Sequence, residues 1–206
     1  MVLNAFDLAG KVAIVTGCDT RLGQGMTLGL AQAGCDIVGV NRRIPHETAE
    51  KVQTLGRRFT AIQADLSRQD EIEDIVTQAV AAMGRIDILV NNAGTIRRAD
   101  ALSFSEKDWD DVMNLNLKSV FFLSQAVARQ FIQQGDGGKI VNIASMLSFQ
   151  GGIRVPSYTA SKSGVLGITR LMANEWAGHR INVNAIAPGY MATNNTQQLR
   201  DDAERS

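Results

Sequence analysis

Lys11-Val-Ala-Ile-Val-Thr-Gly-Cys-Asp-Thr-Arg-Leu-Gly23 decides the fold. Its first half is a short apolar run rich in β-branched residues, which predicts a buried strand over Lys11 to Thr16. From Leu22 to Ala33 apolar residues recur at helical spacing, and Gly34 closes the pattern as a C-cap. Between strand and helix lies a turn containing Gly17 and Gly23. Such a turn brings bare amides and a positive helix end toward a pyrophosphate. Gly17 suits the tight turn, and Gly23 suits close packing of helix on strand. Taken alone, the stretch also reads as an ordinary connecting loop.

Further along, the same alternation recurs. Strands are predicted over Asp36 to Asn41, Phe59 to Ala64, Asp87 to Asn91, Lys139 to Ala144 and Arg180 to Ala187. Helices are predicted from Pro45 to about Leu55, from Gln69 to Met83 and, for the most part, from Glu106 to Gln134. Another runs from Ser157 to Ala177. Strands that are apolar along their length and alternate with helices indicate a parallel sheet covered on both faces. The expected class is therefore α/β, a doubly wound, Rossmann-like, three-layer α/β/α arrangement. Ligands of that fold bind outside the carboxyl ends of the strands.

Composition narrows the function. The 206 residues are 45% hydrophobic, with 21 Lys+Arg against 21 Asp+Glu. With no basic excess, nothing favours nucleic acid or an anionic membrane as partner. No apolar run approaches the roughly 20 residues of a membrane span. Met1 to Asp7 lacks the basic and apolar regions of a secretory signal. Cys18 and Cys35 have no metal-ligand spacing and read as reduced thiols of a cytoplasmic protein. With no linker, repeat or low-complexity tract, residues 1–206 read as one domain.

Chemistry concentrates at the predicted strand ends. Tyr158 and Lys162 stand four residues apart in a predicted helix, hence on one face about one turn apart. A phenol titrates near pH 10, and a nearby ammonium favours the phenolate. Such a pair suits general acid or base work on a hydroxyl or carbonyl. Ser145, at the end of the fifth strand, offers a hydroxyl to the reacting oxygen. Asp65 follows the third strand and serves either as a helix N-cap or as an acceptor for an adenine amine. Asn91-Asn92-Ala93-Gly94 follows the fourth, where small and amide residues permit close approach. Asn116 interrupts a helix and either bends it to hold a relay water or is a polar residue of the helix face. Pro188-Gly189 turns the chain before Thr193, whose hydroxyl suits an amide or phosphate. His46 and His179 read as surface residues, and no metal-ligand cluster is evident.

Together these residues, in this order from Lys11 to Thr193, resemble the short-chain dehydrogenase/reductase family. The resemblance implies an oxidoreductase that uses a nicotinamide cofactor. Tyr158 is then the acid/base, Lys162 binds the nicotinamide ribose and lowers the Tyr158 pKa, Ser145 positions the substrate oxygen and Asn116 supports the relay. Cofactor contacts are implied at Gly17, Arg21, Leu22, Gly23, Asn41, Asp65, Leu66, Asn92, Ala93, Gly94, Tyr158, Lys162, Pro188, Gly189 and Thr193. Four runs resemble members acting on a deoxy keto sugar acid: Gly17 to Thr20, Gly34 to Gly39, Ser145 to Ser157 and Gly189 to Thr196. Arg154 and Arg97 are then candidates to grip the carboxylate, and Gln150 a hydroxyl. Arg98 reads as a surface residue. A 3-oxoacyl thioester or gluconate reductase, and a non-catalytic nucleotide-binding relative, are the competing expectations. The resemblance also implies a tetramer.

The sequence departs from the family pattern at two places. Arg21 replaces the second glycine of the turn, at a cost on the order of 1 kcal/mol if the position needs a positive φ. Ser206 falls roughly one strand and one helix short of the family's usual length, on a prior of about 250 residues. Cofactor choice is divided. Asn41 holds the place of the acidic residue typical of NAD sites, and Arg42 and Arg43 follow it. The closest resemblance implies NAD, which is the expectation, with NADP the alternative.

Overall fold

The computed structural model describes residues 6–189 and Met191. Their six strands form one parallel sheet in the order β3-β2-β1-β4-β5-β6. These strands are β1 Val12–Thr16, β2 Asp36–Asn41, β3 Phe59–Gln63, β4 Ile88–Asn91, β5 Gly138–Ile143 and β6 Ile181–Ile186. The helices between them are α1 Arg21–Gln32, α2 His46–Thr54, α3 Ile72–Met83, α4 Glu106–Met113, α5 Ser119–Gln134 and α6 Pro156–Trp176. Strand order reverses between β1 and β4, so a crevice opens at their carboxyl ends.

Period-two alternation splits the core into two layers. On β1, Val12 and Ile14 join one apolar cluster with Ile72, Ile75 and Ala79 of α3 and Leu123, Val127 and Phe131 of α5. Ala13 and Val15 join the other, with Ala31 of α1 and Val52 of α2. Every residue of β1 and β4 is buried. This explains why those strands read as unbroken apolar runs while β6 alternates buried and exposed over most of its length.

Predicted boundaries agree with the observed ones to within a residue or two, except that the helix expected from Gln69 opens as a 3-10 turn over Gln69–Glu71 before α3 and that one long helix is interrupted. The segment expected as a mostly continuous helix from Glu106 is α4, then a π turn over Asn114–Lys118, then α5. Asn116, fully buried, lies in that turn. Single π turns inside helices often mark functional positions.

Asp87, only 8% exposed, ties together the amino ends of β1 and β4. It accepts from the Val12 amide at 3.0 Å and the Lys11 ammonium at 3.3 Å. The Arg85 guanidinium adds a two-pronged contact at 2.9 and 2.7 Å. Burial pushes the Asp87 carboxyl up, but Arg85, the Val12 amide and Lys11 outweigh it and hold the group below the usual carboxylate range. A carboxyl depressed in the folded state stabilises the fold above its unfolded pKa, near 3.9. That contribution is lost as pH falls through the lower folded value. We expect Asp87→Asn to cost about 1.5–3 kcal/mol in urea unfolding at pH 7. The gap should narrow below about pH 4; an equal gap at both pH values would reject this account.

Candidate active site

The crevice is shaped by a knot between the ends of β1 and β4. The Thr16 hydroxyl accepts from the Asn92 and Ala93 amides, each at 3.0 Å. The Asn92 side-chain amide donates back to the Thr16 and Gly17 carbonyls, each at 2.9 Å. The β1–α1 turn is thereby closed tightly. Gly17 has φ 63°, and a Cβ there would lie 3.0 Å from Ala93 Cα. At Gly23 a Cβ would come within 1.9 Å of the Gly17 carbonyl oxygen. A backbone cradle this bare at a helix start fits a dinucleotide pyrophosphate.

Arg21 begins α1 with φ 50°, in the left-handed region. The position therefore asks for glycine, and arginine occupies it under strain, with its side chain exposed. Leu22 is half-buried beside it.

At the end of β2, Asn41 turns inward. Its side-chain oxygen accepts from the Cys18 amide at 3.0 Å and the Cys18 thiol at 3.1 Å. Burial pushes that thiol up to about 12, so it stays protonated and donates. After β3, the Asp65 carboxylate accepts from the Ser67 amide at 3.0 Å and hydroxyl at 2.8 Å, the cap-like arrangement. The Leu66 side chain belongs to the core, so only its backbone is available to a ligand.

The catalytic candidates gather around the first turns of α6. Pro156 opens the helix at a position where its missing N–H costs nothing. Tyr158 follows, then Lys162 one turn later. Lys162 Nζ is 5.8 Å from the Tyr158 ring centroid. It also donates to the Ile143 carbonyl at 2.5 Å. Lys162 is 6% exposed, and burial pulls its ammonium down from 10.5 to about 8. At pH 7 it therefore remains cationic.

Burial pushes the Tyr158 phenol up, while the Ser145 hydroxyl and the charge of Arg98 pull it down. The sequence led us to expect Lys162 as the charge lowering this phenol. In the structure Arg98, half-buried in the loop after β4, exerts such a pull on the phenol, while Lys162 lies beside the ring and donates to the Ile143 carbonyl. Arg98 was taken for a surface residue; only its neighbourhood in three dimensions distinguishes it from Arg97.

Ser145 is fixed through a reciprocal cap with Ser148. The Ser148 hydroxyl in turn donates to the Lys162 carbonyl at 2.7 Å. That bond joins the Ser145 loop to α6, and no spacing along the chain announces it. Asn116 holds the loop after β4: its oxygen accepts from the Thr95 amide, and its amide donates to the Thr95 carbonyl, both at 2.8 Å. A third contact reaches the Ser161 hydroxyl at 3.3 Å. The side chain thus ties the loop after β4 to α6. Gly94 packs near it. Asn91 pairs across the sheet with Asn142 at 2.8 Å, as expected of a buried amide.

The substrate candidates separate. Arg97 pairs with Asp108 and Asp111 at 3.3 and 3.4 Å. Arg154, with φ 63°, pairs with Asp100 at 3.2 Å, and its carbonyl accepts from the Ala99 amide. It straps two loops together. Gln150 is exposed. Gly189 stands close to Met146, next to Pro188; Thr193 lies outside the described residues. Among the described residues no group of acidic, histidine or cysteine side chains is arranged to hold a metal.

Comparison with known proteins agrees with this geometry. A family model described as short chain dehydrogenase matches residues 11–204. The 2-dehydro-3-deoxy-D-gluconate 5-dehydrogenase of Escherichia coli (strain K12) is 75% identical over the whole chain, which spans 81% of that protein. The enzyme of the same name from Dickeya dadantii (strain 3937) is 73% identical, again over 81% of its length. The crystal structure of a gluconate 5-dehydrogenase from Burkholderia cenocepacia J2315, in complex with NADP and tartrate, superposes with a TM-score of 0.93. It is 36% identical over all of this chain and 81% of that one.

Arg21→Gly should relieve backbone strain of about 1 kcal/mol. We expect the variant to bind the dinucleotide more tightly in a fluorescence titration and to unfold at higher temperature. An unchanged dissociation constant would mean that the turn accommodates arginine as well as glycine.

Proposed function

This chain belongs to the short-chain dehydrogenase family, and we propose that it moves a hydride between a nicotinamide dinucleotide and a keto or hydroxy carbon of a deoxy sugar acid of the 2-dehydro-3-deoxy-D-gluconate type. What carries the reading is one arrangement. Tyr158 and Lys162 stand one turn apart on α6, with the Ser145 hydroxyl bonded to the phenol, beside a glycine crevice. Sequence identity to the Escherichia coli and Dickeya enzymes supports the substrate class.

The dinucleotide would be held by the backbone of Gly17 to Gly23, by Asn92 to Gly94 and by Lys162, with Asp65 and the chain from Pro188 to Thr193 at its margins. When bound, it supplies or accepts the hydride. The remaining chemistry belongs to the chain. Ser145 orients the substrate oxygen, since its hydroxyl reaches the same phenol oxygen that must exchange the proton. Tyr158 donates that proton to a ketone or takes it from an alcohol. Lys162, cationic and buried, orients the nicotinamide ribose and favours the phenolate. Asn116 acts by fixing the loop after β4 against α6. Arg98 is the cation nearest in effect to the reacting phenol and suits a carboxylate-bearing substrate better than a neutral thioester.

We further take the chain to be one dinucleotide-binding and catalytic domain, to work in the cytoplasm in polyuronate breakdown, and to assemble as a homotetramer. No helix among the described residues is long and apolar enough to cross a membrane. Both cysteines are buried free thiols.

Following reduced cofactor at its absorbance maximum with 2-dehydro-3-deoxy-D-gluconate, gluconate and a 3-oxoacyl thioester tests the proposal. The deoxy sugar acid should give the highest kcat/KM, and Tyr158→Phe should lose at least about a hundredfold in kcat. Cofactor binding without turnover of any of the three would favour a non-catalytic relative. Removing Arg98 takes away a charge that favours the phenolate, so the Tyr158 pKa must rise. Arg98→Gln should therefore shift the rising, acidic-side limb of alcohol oxidation to higher pH; an unmoved limb would detach Arg98 from the phenol.

A further inference from the structure

β5 ends at Ile143; the chain then presents Ser145 to the phenol and turns over Met146–Ser148. Little of this loop is held by burial. Its turn is a single 3-10 turn, and a lone turn has little stability of its own. Phe149 is 73% exposed, Gln150 is exposed, and Gly151 and Gly152 follow with no side chain to pack. Ser145 itself stands on extended backbone, φ −160° and ψ 161°. Its hydroxyl has to meet the Tyr158 phenol on a different element. A displacement of about 1 Å at a reacting group can cost on the order of a hundredfold in rate.

One hydroxyl refers the loop to the helix. Ser148 Oγ accepts from the Ser145 amide at 3.2 Å and donates to the Lys162 carbonyl, 14 residues away, at 2.7 Å. Both bonds use main-chain groups, so neither depends on a rotamer of Ser145 or Lys162. The Lys162 carbonyl lies inside α6, one turn beyond Tyr158. The turn is braced further: the Ser148 amide donates to the Ser145 carbonyl at 2.9 Å, and the Leu147 amide to Ser145 Oγ at 3.2 Å. The Ser163 hydroxyl reaches the Ser148 carbonyl at 3.5 Å. A closed circuit results. It runs from the phenol through the Ser145 hydroxyl and amide, the Ser148 hydroxyl and the Lys162 carbonyl, and back along α6 to Tyr158. Without Ser148 Oγ that circuit opens between loop and helix.

We propose that Ser148 is a positioning residue for proton transfer: its hydroxyl, tied to the backbone of both Ser145 and Lys162, fixes the reach of the Ser145 hydroxyl to the Tyr158 phenol. The proposal rests on the hydride-transfer reading above and adds a residue outside the reacting groups. Ser148 is bonded to main chain, so its loss leaves the Lys162 ammonium on the Ile143 carbonyl and the dinucleotide crevice as it stands. The effect falls on the proton. The Ser145 bond helps pull the phenol down, and a loosened bond lets it rise. The charged groups that face the phenol, Arg98 from the loop after β4 and Lys162 from α6, are unchanged by the substitution.

The test compares the unmodified protein, Ser148→Ala, Ser145→Ala and the double variant, with turnover of 2-dehydro-3-deoxy-D-gluconate followed at the absorbance of reduced cofactor. Ser148→Ala should lower kcat about tenfold and leave the dinucleotide dissociation constant, read by fluorescence titration, within about twofold. In the Ser145→Ala background the same change should cost less than about twofold, because the hydroxyl it positions is gone. For oxidation of the hydroxy product, the rising limb of the pH profile should move to higher pH in Ser148→Ala. Ser148→Thr, which keeps the hydroxyl, should restore both kcat and the limb. If Ser148→Ala is poorly folded by circular dichroism, Ser148→Cys, close in shape but a much weaker donor, gives the same comparison. Equal losses in the two backgrounds, an unmoved limb, or weakened dinucleotide binding with unchanged kcat overturns the proposal and leaves the hydride-transfer reading standing. No turnover by the unmodified protein overturns both.

Discussion

The site depends on one small knot of hydrogen bonds, the exchange between Thr16 and Asn92 at the reversal of strand order. Two parallel strands that are not neighbours in sequence must end at the same height for a ligand to lie across them. The Thr16 hydroxyl takes two consecutive amides from the β4 end, and the Asn92 amide returns two bonds to the β1 end. Four such bonds in a part-buried setting fix the separation of the strand ends, because each broken one would strand a polar group. The bare turn from Gly17 to Gly23 then has no freedom to widen, and Gly23 is required to be glycine by the Gly17 carbonyl alone.

From this fixed floor the catalytic side chains are placed by a second set of bonds. Asn116 clamps both backbone groups of Thr95, and the Ser148 hydroxyl bonds the Lys162 carbonyl while capping Ser145. The loops after β4 and β5 are thereby referred to the same stretch of α6. The electrostatics follow from that placement. Burying Lys162 lowers its pKa toward neutrality but leaves it cationic at pH 7, whereas burying Tyr158 raises its pKa and holds it as the neutral acid. A phenol pushed up by burial and pulled down by a hydroxyl and a guanidinium is suited to hold its proton until a substrate oxygen arrives.

The fold was legible because its determinants are local. Apolar runs such as Val12 to Thr16 and Ile88 to Asn91 are buried on both faces, and their lack of alternation says so directly. Tyr158 and Lys162 were legible because helical spacing fixes their relation in advance. The role of Asn116 was visible only as that of a poor helix former, since its side-chain bonds run to Thr95, 21 residues away. Asp87 was missed altogether: its partners Lys11 and Val12 are brought to it by strand pairing, not by sequence.

The arginines show where such reading stops. Arg97, Arg98 and Arg154 are chemically alike and all fall in loops near the phenol, so sequence alone cannot rank them. Their surroundings do. Arg97 faces Asp108 and Asp111, and Arg154 faces Asp100, so much of their charge is already answered by carboxylates of the chain. Arg98 is distinguished instead by its electrostatic influence on the Tyr158 phenol. The surroundings of each arginine, fixed by how the loops fold back, therefore set the three apart where their chemistry does not.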